Sequence, residues 1–190
     1  FVSVFALNPK AILVHTGRGG EYWEVLFHED RSFSTTLMEN PVEGTQITLF
    51  LTGDSLRYQE LVEGIEANLR RWCAYSEAKI YFEDRTPVDG GFPEQITINE
   101  KFRVDGELMT YYSAPDGTEV VMAFDPLPTY GFYNRGLTLA FTDSGDNVFS
   151  IQQSRALSQI SLRIKSRYLE HTLSRDTVVR DGNYVRAMRH

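Results

Sequence analysis

The chain holds one cysteine, Cys73, and so can form no internal disulfide. That excludes a disulfide-stapled secreted scaffold and agrees with a reducing, cytoplasmic setting. Cys73 follows Trp72 on a helical pattern and reads as a small buried hydrophobe rather than a reactive thiol. No apolar run approaches the roughly 20 residues that span a bilayer, and no signal-peptide pattern is visible, so no membrane partner is expected. Basic residues are in deficit, with 19 Lys and Arg against 26 Asp and Glu and a formal net charge of −7. Non-specific nucleic-acid binders are usually basic, so no nucleic-acid partner is expected either. Histidines are few. His15, His28, His171 and His190 show no metal-ligand spacing, and one thiol makes no cluster, so no metal site is expected. There is no Gly-x-Ser-x-Gly elbow and no complete phosphate loop. Arg18-Gly19-Gly20 follows a strand pattern without leading into a helix, and reads as a turn.

What the chain does have is a globular composition, with 42% hydrophobic and 13% aromatic residues. Its 190 residues allow one ordinary domain or two small ones. Residues 1–7 read as the end of a buried helix, stopped by Asn8-Pro9. Strand patterns follow at 11–14, 21–27, 32–37 and 46–51, which together predict an antiparallel meander over 11–52. The period then changes. Tyr58, Leu61, Val62, Ile65, Leu69, Trp72 and Cys73 recur at helical spacing behind a cap at Asp54 or Ser55, predicting a helix over 55–74. Further on, 79–82 reads as a strand and 84–94, with its prolines and glycines, as loop. Ala114-Pro115-Asp116-Gly117 predicts a hairpin between 108–113 and 118–124. Strands at 135–141 and 161–165 and a closing helix over 176–188 complete the reading. The fold class is α+β.

Residue chemistry alone points to no reaction, because no acid pair can be placed in one cleft. Three segments, in order, resemble the ninety-kilodalton heat-shock chaperones. Phe1-Val2-Ser3-Val4-Phe5 is similar to the helix after the family's glycine-rich lid, and Glu43-Gly44-Thr45-Gln46-Ile47-Thr48-Leu49 to its Gly-Thr strand. Trp23 and Phe33 fall where the family has sheet aromatics. Gly131 to Leu139 resembles a strand of the middle domain. The sharpest match runs without a gap from Ile164 to Asp176, sharing the aliphatic Ile164, Ser166, Leu169 and the closing Ser174-Arg175-Asp176. Val179 departs from the pattern, which has glutamine there, and the stretch 76–130 is shorter than the family's.

The resemblance implies an organisation. Residues 1–53 would be the rear of a Bergerat-type nucleotide domain, 54–75 a connecting helix, and 76–190 the first part of a ribosomal-S-five-like middle domain. It implies that Arg175 reaches the terminal phosphate of ATP, and that Phe1, Gly44 and Thr45 belong to the nucleotide pocket. The catalytic glutamate and the residues for adenine and magnesium would lie upstream of Phe1, so this segment alone is expected not to hydrolyse ATP. The whole protein would be a dimeric, ATP- and magnesium-dependent chaperone acting on unfolded clients. Two other readings stand beside it. One is a mismatch-repair or topoisomerase subunit of the same ATPase superfamily. The other is a non-enzymatic interaction module presenting Tyr130, Phe132 and Tyr133.

Overall fold

The computed structural model describes residues 2–39, 43–86, 93, 95–147, 149–172 and 177–189. The chain is a mixed α+β protein with mostly antiparallel sheets and few helices. It divides into two compact units, Phe1–Glu60 and Leu61–His190. Among the described residues no helix is long and apolar enough to cross a membrane.

The first unit opens with a 3₁₀ helix over Val2–Leu7. This corrects the expectation of a buried helix end, since Ala6 and Leu7 are exposed and Val4 and Phe5 are half-buried. Asn8 then turns the chain with φ of 50°. Strand β1 (Ala11–Arg18) pairs with β2 (Glu21–His28) through a two-residue turn, and β2 pairs with β3 (Phe33–Leu37). Gly19 and Gly20 make that turn possible, with φ of 63° and 95°; two successive positive φ values define the tight hairpin turn whose twist suits paired strands. Strand β4 (Gly44–Phe50) does not extend the meander. It returns to pair with the far side of β1, giving the order β3-β2-β1-β4. This is the Greek-key order, which a purely local reading misses.

Helix α1 covers Ser55–Cys73, close to the predicted span. Asp54 caps it, its Oδ1 accepting the Arg57 N–H at 2.9 Å. The boundary between the units falls within this helix.

The second unit carries a small ribbon of β5 (Tyr81–Glu83) and β6 (Gln95–Thr97). Most of the loop predicted over 84–94 lies outside the described residues. The main sheet contains β7 (Glu107–Ser113), β8 (Glu119–Phe124), β9 (Tyr130–Asn134), β10 (Leu137–Thr142) and β11 (Ile160–Lys165). Its order is β10-β9-β11-β8-β7, with β9 and β11 parallel and every other pair antiparallel. The predicted hairpin turn at 114–117 is present, with Gly117 at φ 86° and its N–H bonded to the Ala114 carbonyl at 3.0 Å.

Two expectations are corrected here. Gly131 to Leu139 is not one strand but two, broken at Arg135 and Gly136, which both adopt positive φ. The closing helix shrinks to α3 (Gly182–Ala187), because Asp181 caps it there and Val178 is used in a β-bridge to His171. Helix α2 (Ile151–Ala156) was not anticipated, although Ser150 and Gln153 form a reciprocal capping box that the Ser-x-x-Gln spacing encodes.

One face of the sheet buries Tyr130, Phe132, Leu162 and Ile164 against Phe149, Leu169, Val178 and Tyr184. Phe132 is 0% exposed, and burying such a ring contributes on the order of 1.5–3 kcal/mol. The opposite face is thinner, with Val121 and Ala123 under Val104 and Phe102.

Candidate functional site

The sequence-predicted residues fall into separate groups. Phe1 lies outside the described residues, as does Arg175. Gly44 and Thr45 open β4 in the first unit, and both are exposed. Gly44 stands opposite Gly17 and Thr45 opposite Thr16 in the β1–β4 ladder. Gly44 adopts φ of 103°, and nothing lies within 4 Å of the space its side chain would fill. The Thr16 and Thr45 hydroxyls share a hydrogen bond at 2.8 Å, and Glu43 Oε1 accepts the Gly19 N–H at 3.0 Å. This end of the sheet therefore carries polar groups on β1 and β4, with Trp23 and Tyr22 opposite Thr16 and Gly17 on β2. One strand further, His15 Nε2 meets Glu24 Oε2 at 2.8 Å across β1 and β2. The pairing of Thr16 with Thr45 spans 29 residues, and strand alternation alone carries no such signal.

In the second unit the segment 164–172 is fixed by the residues that stood out in the sequence. Ile164, Ser166 and Leu169 are all buried. The Ser166 hydroxyl meets the Thr118 hydroxyl at 3.0 Å, so this buried polar pair satisfies itself. The Ser166 N–H donates to the Tyr133 carbonyl at 2.9 Å. Asn134 Nδ2 donates to the Leu169 carbonyl at 2.7 Å, clamping the chain as it leaves β11. Beyond Leu169 the backbone pairs with the stretch before α3. The Val179 N–H donates to the Glu170 carbonyl at 2.8 Å, and the Thr172 N–H to the Thr177 carbonyl at 3.0 Å. His171 bridges Val178 between them. Thr172 and Thr177 are thus held together, and the four residues between them, Arg175 included, lie outside the described residues.

Beside this segment is a cavity of about 860 Å³, lined by Trp72, Cys73, Leu137, Leu139, Leu169 and His171 among others. Cys73 is half-buried rather than fully enclosed. The walls are mainly apolar, with Glu170, His171 and Arg135 as the carboxylate, imidazole and guanidinium side chains of the lining.

Tyr130, Phe132 and Tyr133 are each at most 2% exposed, so they are core residues and offer no surface to a partner. Burial raises the Tyr133 phenol above its ordinary value, with Arg163 beside it pulling in the opposite direction. Among the described residues no group of His, Cys, Asp and Glu could hold a metal ion. The sequence reading missed Asn134 and Thr118 as the anchors of the 164–172 segment. Only the Asn that ends a buried strand gave a hint of the first.

Comparison of the sequence with known protein families and with curated proteins finds no match.

Proposed function

We propose that this chain is part of an ATP-driven chaperone of the ninety-kilodalton heat-shock type. Residues 1–53 would be the rear of its Bergerat-type nucleotide domain, 54–75 a connecting helix and 76–190 the start of its ribosomal-S-five-like middle domain. The observation that supports this reading most is the coincidence of resemblance and anchoring. Ile164, Ser166 and Leu169 carry the sharpest sequence likeness, and the same three side chains are buried and fix the path of the segment. A guanidinium that must meet a phosphate needs a rigid base, because most of its catalytic value comes from pre-set position. The backbone of 170–172, paired with that of 177–179, supplies such a base on both sides of Arg175.

In this reading Gly44 and Thr45 line the floor of the adenine pocket and Phe1 its wall. The open space at Gly44 leaves room for a ligand beside Thr45. Arg175 senses the terminal phosphate and couples nucleotide to closure of a dimer around unfolded clients in the cytoplasm. Closure of that kind is a ligand-driven shift between domain arrangements. Magnesium would be held by residues of the complete nucleotide domain, not by this chain.

Calorimetric titration tests the assignment. ATP with magnesium added to this 190-residue chain is expected to give no detectable binding. The natural protein that contains the segment together with a complete nucleotide domain is expected to bind in the micromolar range. Failure of that protein to bind ATP would remove the proposal, and binding by this chain alone would move the pocket inside it.

A further inference from the structure

The second unit holds a second pocket, on the sheet face opposite Phe132. It measures about 450 Å³, and its lining includes Arg70, Arg71, Arg163 and one carboxylate, Glu100, with the rings of Tyr75, Tyr133 and Phe141. Its origin is a glycine. Phe141, Gly131 and Arg163 stand in one row across β10, β9 and β11. Gly131 has no side chain, and the Tyr133 ring occupies the space a Cβ would need. The Tyr133 hydroxyl thereby reaches Arg163 Nη1 at 2.9 Å. The guanidinium of Arg163 sits 5.2 Å from the Phe141 ring centre and 6.0 Å from that of Tyr75.

Arg163 is a cation among aromatic rings, and a phenol raised by burial remains neutral. Its Nε is buried and has no hydrogen-bond partner. Among the described residues no carboxylate stands within ion-pair distance of Arg163 or of Arg71, while Arg70 is taken by Glu66 at 2.9 Å and Glu100 at 3.4 Å. Rings offset part of a guanidinium's desolvation, but a half-buried cation without a counter-charge is costly. A cationic pocket on a chain of net charge −7 is also against the general balance.

We propose that this pocket binds a small ligand whose carboxylate or phosphate meets Arg163 and Arg71 and whose flat apolar body lies against Tyr75 and Phe141. A guanidinium pair suits an oxyanion because its donors form a planar fork. The site is independent of the nucleotide assignment, and its failure would leave that assignment untouched.

The test follows the side-chain Nε–H resonance of Arg163 in the whole chain during titration with benzoate, and separately with inorganic phosphate. Benzoate is expected to give a saturable shift, weakened about tenfold by Arg71→Gln, the loss expected for one charge-assisted hydrogen bond. Arg71 is exposed, so that variant should fold normally. Arg18→Gln, in the first unit, is expected to leave the affinity unchanged. Saturation by phosphate with the same loss in Arg71→Gln would assign the site to phosphate ligands. No saturable shift with either probe, or equal weakening by Arg18→Gln and Arg71→Gln, would overturn the proposal.

Discussion

If the proposed chaperone assignment holds, Arg175→Ala in a protein that joins this segment to a complete nucleotide domain is expected to lower ATP turnover by about 10²–10³-fold, the usual loss when one pre-set donor to developing charge is removed. ATP affinity should change little, because the proposed contact forms only when the domains close. The prediction rests on the pinned bases at Thr172 and Thr177, which hold both ends of the segment that contains Arg175. Arg175→Lys should fail to restore turnover, since an ammonium cannot reproduce a planar two-donor grip. Steady-state kinetics separates the outcomes. A fall in kcat at constant KM fits a residue that acts in the closed state, whereas an unchanged kcat in the alanine variant would end the phosphate-sensing role.

A second large effect is expected from Gly136→Ala, this time on stability. Gly136 has φ of 83°, and a Cβ there would run into the Tyr75 carbonyl and the Ser76 nitrogen. Here the end of α1 is fastened to the β9–β10 turn. The Glu77 N–H donates to the Arg135 carbonyl at 3.3 Å, and the Thr138 hydroxyl to the Arg71 carbonyl at 2.8 Å. Alanine must both hold a left-handed conformation, at about 1 kcal/mol, and push backbone away, at about 1–3 kcal/mol more. A loss of roughly 3 kcal/mol corresponds to a fall in Tm of about 6–12 °C for a chain of this size. Gly117→Ala is the control, with φ of 86° but open space around its Cβ. It should lose only about 1 kcal/mol. Equal melting shifts for the two variants would show that the close approach at Tyr75 carries no weight.

These two positions differ in how they could be read from the chain. The helix over 55–74 was legible because seven apolar residues repeat at one spacing and Asp54 supplies a cap, all of it local. The turn at 114–117 was legible for the same reason, since proline, aspartate and glycine each fix a backbone angle. The break at Arg135-Gly136 was not. Tyr133, Leu137 and Leu139 continue a strand-like alternation across it, and a non-glycine residue with φ of 49° at Arg135 leaves no compositional mark. The return of β4 to β1 was hidden because pairing partners are non-local. The closing helix was overread because Val178 and Val179 fit a helical stripe as well as a bridge. Of the candidate site, the Ser166 and Leu169 anchors were visible as a pattern, but their partners Thr118 and Asn134 are 48 and 35 residues away.

The strand order β10-β9-β11-β8-β7 has a consequence for how the second unit comes into being. Its middle strand is the last of the five in sequence. The β7–β8 and β9–β10 hairpins can close early, from neighbours alone, but until β11 arrives each leaves a hydrophobic edge with open backbone donors and acceptors. Assembly is therefore a late insertion between two preformed halves, and long-range pairing of this kind is intrinsically slow. Pulse-labelled hydrogen exchange during refolding should find protection at Val121 and Tyr133, whose backbones face β11, appearing together with that at Ile164, not before it. Earlier protection at the two hairpins' facing edges would contradict the insertion order. On the ribosome the same order would leave both edges unpaired until residues 160–165 have emerged, so the sheet is most vulnerable to mispairing in the interval between the emergence of β10 and that of β11.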